Sequence, residues 1–239
     1  MASLISFVVL WHLAAALVHS SVLPTPVEVG RVLIQVTVSG DLPLNLGITL
    51  ARLTVSFFLA MFFGSAIGIV LGRHPELDRF FDSWIILFLN IPALVTIILS
   101  FVWFGLVESA AILAVVINKL PNVIVTIREG TRVLDRDLLE MAQSYHFSRS
   151  KTFRHVIWPQ LYPFVMTAAR TGLALIWKVI LVVEMLGRSN GMGYQLHLYF
   201  QFFDVAGILA YTIAFVVIIQ LIEWLLLKPL DQRANRWRR

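Results

Sequence analysis

Glu140-Met141-Ala142, then His146 after an interval of three residues, then Val156-Ile157-Trp158-Pro159 after nine more, form the stretch that decides how this chain is read. It lies in a polar, basic segment between two strongly apolar ones. Asp135 and Asp137 precede apolar Leu138, Leu139, Met141 and Ala142. That order predicts a short helix with negative charge near its start and an apolar face able to enter a partner's groove. Ser148-Arg149-Ser150-Lys151 predicts the opening of a second short helix, which Pro159 is expected to end. By composition alone, the same segment also reads as a solvated amphipathic helix beside a membrane.

Working outward, hydrophobic residues make up 59% of the 239, mean hydropathy is +0.83 and charged residues are 14%. One soluble core would not bury that much apolar surface, so lipid must cover the rest. The absence of cysteine excludes disulfides, thiolate metal sites and thiol chemistry. The net charge of +5 sits in loops flanking apolar runs, which points to membrane topology and away from nucleic acid.

A helix needs about 20 apolar residues to cross a bilayer core. Six segments are expected to do so: Leu4 to Val18, Leu46 to Leu71, Trp84 to Leu106, Ala110 to Ile127, Phe164 to Leu186 and Val205 to Leu227. The first is read as a retained helix, because no basic region precedes it and His19-Ser20-Ser21 makes a poor cleavage site. Arg73 and Arg79, the six basic residues from Arg128 to Arg154, and the five from Lys228 on fall on one side. Only Arg31 and Arg188 fall on the other. Thirteen against two predicts that both termini are cytoplasmic. Arg52, Lys119, Arg170 and Lys178 fall within or at the edges of spans, where each must snorkel, pair or face water.

Leu23-Pro24-Thr25-Pro26 breaks the chain before a short amphipathic segment, Val27 to Val38, expected to lie along the outer surface up to Gly40-Asp41. The glycine-rich run from Gly187 to Tyr194 follows no strand and precedes no G-K-[ST], so it is not read as a phosphate cradle. Gly64, Gly68 and Gly72 form a small-residue stripe for close helix approach, within the chain or between subunits. Arg170, Trp177 and Glu184 recur every seven residues and share a helix face, with Lys178 beside them. Membrane-embedded charge usually faces the bundle interior or a cavity, so these four residues are the candidate translocation pathway. The competing reading places Arg170 at headgroups and Glu184 in interfacial water.

The first stretch resembles the E-A-A-x3-G-x9-I-x-L-P loop of permease subunits of bacterial ATP-driven (ABC) importers. Ile91-Pro92, then Trp103-Phe104-Gly105 and Glu108, are similar to the I-P-x10-W-F-G-x2-E pattern of the sulfonate, taurine and nitrate subfamily. Pro121, Asn122, Gly130, Asp135, Arg170, Trp177, Glu184 and Gly191-Met192-Gly193-Tyr194 extend the likeness, which runs from about Leu23 to Tyr194. His146 stands where the motif has glycine and Trp158 where it has leucine. Histidine tolerates a positive φ better than most residues, so the loop is expected to keep its shape.

The resemblance implies an all-α integral membrane protein of about six transmembrane helices with the type I importer (MetI-like) permease fold. Residues 1–227 would form the membrane domain, including a coupling loop at 128–163, and 228–239 a basic cytoplasmic tail. It implies that Glu140, Met141, Ala142, His146, Val156 and Pro159 contact an ABC ATPase, which would bind ATP and Mg in place of this chain. The implied partners are that ATPase, a second permease copy, a periplasmic or lipid-anchored solute-binding protein and membrane lipid, without nucleic acid. The implied location is the bacterial inner membrane, as a multi-pass protein, and the implied cargo a small anion such as a sulfonate, taurine or nitrate. No catalytic, cofactor or metal residues are assigned. An intramembrane enzyme is the alternative from another class: His146, His155, Glu140 and Glu184 supply residue types, but H-E-x-x-H is missing. A passive channel or scaffold is the other.

Overall fold

The computed structural model describes residues 2–229 except 19 and 21; the expected tail from residue 230 on and part of the His19-Ser20-Ser21 stretch lie outside it. Every regular element among the described residues is helical. In order these are α1 (Ala2–Val18), α2 (Pro26–Val38), α3 (Asp41–Arg73), α4 (Pro75–Asn90), α5 (Ala93–Phe104) and α6 (Glu108–Arg132). Then come α7 (Arg136–Ser144), α8 (Arg149–Thr152), a π-helical turn (Phe153–Ile157), α9 (Trp158–Gly187), α10 (Met192–Gln201) and α11 (Val205–Ile222), with a second π turn at Glu223–Leu227. Among the described residues, four helical stretches are long and apolar enough to cross a membrane: Asp41–Arg73, Glu108–Arg132, Arg149–Gly187 and Val205–Leu225. The first expected span is a shorter apolar helix, Ile5–Val18.

The third expected span is not one straight helix. α4 and α5 bend by 95° at a break. The cause is local: Pro92 has no N–H to continue the ladder, and Ile91 before it is extended (φ −70, ψ 122). The fourth span also runs further than expected, since α6 continues to Arg132 and carries Arg128 and Arg132 in its last turns.

Two compact units divide the chain, with boundaries inside α3 and α9: one holds residues up to Arg52 and Ile180–Ile222, the other Leu53–Val179 and the segment from Glu223. In the first unit, Thr25 and Glu28 cap α2 reciprocally: Glu28 N–H donates to Thr25 Oγ1 (3.3 Å) and Thr25 N–H to Glu28 Oε2 (2.8 Å). Pro26 sits where its missing N–H costs nothing. α2 buries Val29 and Val36, two turns apart, and packs on α11. Trp11 Nε1 donates to Pro24 O (3.0 Å), tying α1 to the turn.

In the second unit the glycine stripe of α3 lies against α6. A Cβ on Gly64 would come within 2.6 Å of Val123 Cβ, one on Gly68 within 2.8 Å of Ile124 O, and one on Gly72 within 2.5 Å of Thr131 Cβ. The stripe therefore serves packing within the chain, where backbone proximity replaces a hydrophobic drive. Arg128 on α6 pairs with Asp78 (2.9 Å) and Asp82 (2.7 Å), one turn apart on α4. Arg132 pairs with Asp78 and Glu129. Val123, Ile127, Leu134, Ile157, Leu161 and Ala168 form the core beneath the loop.

Candidate functional site

The loop after α6 is built from caps. Asp135 Oδ1 accepts the N–H groups of Asp137 (2.9 Å) and Leu138 (3.3 Å), which starts α7 where the sequence predicts. Asp135 N–H donates to Gln160 Oε1 (2.8 Å), joining the start of the loop to the first turn of α9. At the other end of α7, His146 N–H bonds Gln143 O and Phe147 N–H bonds Ala142 O, both at 2.9 Å. These two bonds are a Schellman closure, which requires a left-handed residue after the cap. His146 fills that place with φ 50. The motif's glycine is thus a conformational requirement, and histidine meets it with some strain.

His146→Gly should leave α7 and its closure intact and relieve about 1 kcal/mol, whereas β-branched His146→Val should cost at least that much. Hydrogen exchange at Phe147 N–H, slower in the Gly variant and faster in the Val variant, checks this. Equal exchange in both would contradict it.

α7 has two apolar faces. Ala142 is buried and Leu139 packs on the core, while Leu138, Met141 and Tyr145 are exposed at 41%, 39% and 73%. Spacings of three and four residues put these exposed side chains on one stripe. Glu140 is exposed nearby. Val156 is buried in the π turn and supports the loop from within, so it offers no surface to a partner.

Pro159 does not end a second short helix. α8 opens on Ser148, whose Oγ accepts Lys151 N–H (3.3 Å), and the helical path continues through the π turn into α9. Trp158 N–H bonds Phe153 O, five residues back, so the ladder is already shifted where Pro159 lacks its N–H. Pro159 stays exposed in the first turn of α9.

The fifth-span residues have separate surroundings. Arg170 is half exposed, with NH2 3.5 Å from Glu223. Trp177 is partly buried, and Lys178 Nζ lies 5.5 Å from its ring centroid. Glu184 differs most from expectation: it is 0% exposed and lines neither an opening nor interfacial water. Its Oε1 receives Arg52 NH1 (2.7 Å), its Oε2 receives Gly193 N–H (2.9 Å), and Thr49 Oγ1 is 2.9 Å from both oxygens. Arg52 also donates to Asn190 O (3.0 Å) and Oδ1 (2.5 Å). Asn45 Oδ1 receives Gly191 N–H (2.7 Å), and Thr49 Oγ1 receives Met192 N–H (2.8 Å).

Asn45, Thr49 and Arg52 form one polar stripe of α3 that holds both Glu184 and the glycine-rich loop. Gly191, at φ 103, has no room for a Cβ against the Glu184 carboxylate, and Gly193 has none against Leu181 O. This clamp was not foreseen from the sequence. Its signal was present: Arg52 had to snorkel, pair or face water, and Asn45 and Thr49 stand two turns and one turn before it.

Lys119 is another of the span residues that must snorkel, pair or face water. It is 3% exposed, α6 carries it into the second unit, and no ion pair reaches it among the described residues. Gly172 of α9 leaves room for it, since a Cβ there would approach Lys119 Cε to 2.9 Å.

Residues 60–234 match the family described as binding-protein-dependent transport system inner membrane component. The chain belongs to this family. It is therefore a permease of ABC importers, as the loop and third-span resemblances implied, and the intramembrane-enzyme reading falls away. Among its relatives, the putative aliphatic sulfonates transport permease SsuC of Escherichia coli is 31% identical over 80% of this chain and 73% of its own. The protein of that name in Bacillus subtilis is 28% identical over 97% and 84%. The group also includes permeases named for taurine and nitrate. The permease fold is shared with an inward-facing MetNI methionine ABC transporter structure: TM-score 0.68, 17% identity, 79% of this chain and 93% of the other.

Proposed function

We propose that this permease carries a small organic or inorganic anion of the sulfonate, taurine or nitrate type across the bacterial inner membrane, driven by a separate ABC ATPase. The observation that carries the anion reading is Lys119, a buried ammonium in a membrane helix without an ion pair among the described residues. Such a charge is costly to hold and is usually retained for function. The names of the relatives support the same class. Arg170, Trp177 and Lys178 are the pathway residues that go with it, and Glu184 acts by holding the loop at Gly191–Gly193.

In this reading Glu140, Met141, Ala142, His146, Val156 and Pro159 belong to the ATPase contact: Glu140, Met141 and Pro159 as surface, the others as its support. ATP and Mg stay in the ATPase. A second copy of the chain completes the pathway, and a periplasmic or lipid-anchored binding protein delivers the anion. The basic-residue asymmetry supports cytoplasmic termini. A cysteine placed at Ser189 should then react with an impermeant maleimide from outside and one at Ser150 should not; the reverse pattern would overturn the orientation.

The test of function is uptake of taurine, an alkanesulfonate and nitrate by the assembled complex, with and without Lys119→Met. The variant should lose at least about tenfold in anion uptake, an electrostatic contribution on the order of 1.4 kcal/mol. Its thermal stability should hold or rise, because a buried charge without an ion pair is replaced by an apolar chain of similar length. Unchanged anion uptake, or import of neutral and cationic solutes alone, would contradict the reading.

A further inference from the structure

Two cavities in the second unit adjoin. One, of about 620 Å³, is an apolar groove between α3, α4 and α6, lined by Ala66, Val70, Phe81, Trp84, Phe88 and Ile117 among others. The other, of about 480 Å³, is lined by Arg73, Arg132 and Arg136 together with Asp78 and Leu139. Leu71 lines both. α3 ends at Arg73 and α6 at Arg132, so the basic cavity lies where two spans end.

We infer that these cavities together form a binding site for one anionic phospholipid, with an acyl chain in the groove and the phosphate in the basic cavity beside α7. Three observations select this occupant. The groove runs along α4 from Leu77 to Phe88, a rise of roughly 16 Å, and one leaflet of a bilayer core is about 15 Å deep. Charge changes at its end in the order that a lipid requires. Arg132 is neutralised by Asp78 and Glu129, whereas no ion pair reaches Arg73 or Arg136 among the described residues. Two guanidinium forks are therefore available to phosphate oxygens. A phosphate held there bears on Arg136, the first residue of α7, so the lipid would also steady the docking helix. That consequence rests on the proposed ATPase contact; the site itself does not.

The full-length chain, purified in neutral detergent, would be titrated with phosphatidylglycerol or phosphatidylcholine and the bound lipid counted by native mass spectrometry. One phosphatidylglycerol per chain is expected, in preference to phosphatidylcholine. Arg73→Gln with Arg136→Gln should weaken it about 30-fold, from about 1 kcal/mol for each basic residue near an anionic surface. Both side chains are exposed, so the variant should keep its fold, which its melting temperature checks. Ala66→Phe should lower retention by filling the groove. Equal retention in the double variant, or no preference over phosphatidylcholine, would overturn the proposal. So would displacement by millimolar inorganic phosphate, which would mark a site for free anions. A disulfide between copies through Trp84→Cys, in this cysteine-free chain, would show a second permease covering the groove and would overturn it too. None of these readouts depends on transport, so a failed lipid site leaves the importer reading standing.

Discussion

Replacing Arg52 with methionine should destabilise the chain by about 3–5 kcal/mol, because it leaves the Glu184 carboxylate buried without its counter-charge. The pair is closed from water, at 5% and 0% exposure, so solvent cannot take over the role of the guanidinium. Arg52 also holds Asn190 through two hydrogen bonds, and their loss frees the loop that Gly191 and Gly193 press onto Glu184. Adding Glu184→Met to Arg52→Met should recover part of the loss by removing the stranded charge. Recovery should stay incomplete, since Gly193 N–H and Asn190 lose their partners as well. Thermal unfolding of wild type, single and double variants in one detergent checks this. A single-variant loss below about 1 kcal/mol would place the pair among screened ones and contradict the clamp.

The second large effect is expected at α7. Leu138 and Met141 are exposed on the stripe that ends at Tyr145, while Leu139 and Ala142 already pack inward. Fully burying two such side chains in a partner groove contributes about 3–6 kcal/mol. Leu138→Asp with Met141→Asp should therefore weaken ATPase retention by about a hundredfold or more, with no comparable loss of permease stability. Co-purification of ATPase with tagged permease, beside the melting temperature of the permease alone, separates the two effects. Undiminished co-purification would remove this stripe from the contact.

Much of this was legible in the sequence where the cause is local. Asp135 and Ser148 cap helices at the expected positions, His146 takes the positive φ, and the spans other than the first and third are helices of adequate length. The break at Ile91-Pro92 also had a local cause, but the apolar run on both sides hid it. The continuation past Pro159 was hidden differently: proline signals a stop only for a regular ladder, and the π turn before it had already shifted the register.

Long-range pairing was the least legible. Glu184 shares a helix face with Arg170 and Trp177 by spacing, yet its partner Arg52 lies 132 residues away, and burial makes it part of a clamp. Arg128 and Arg132 were counted as loop charges, although they are helix residues bound to Asp78. A hydropathy pattern marks which residues are costly in a membrane. It does not say which of them meet.

The proposal that this permease moves its solute only when a separate ATPase drives it is tested most directly in proteoliposomes holding this chain with the ATPase and the solute-binding protein proposed for it. The measurement is uptake of a labelled alkanesulfonate with ATP, with a non-hydrolysable analogue, and with Glu140→Lys in the permease. Uptake that needs hydrolysable ATP and is abolished by Glu140→Lys, with the variant still inserted, is the predicted result. Uptake at an equal rate without ATP would mark a passive channel and contradict the account.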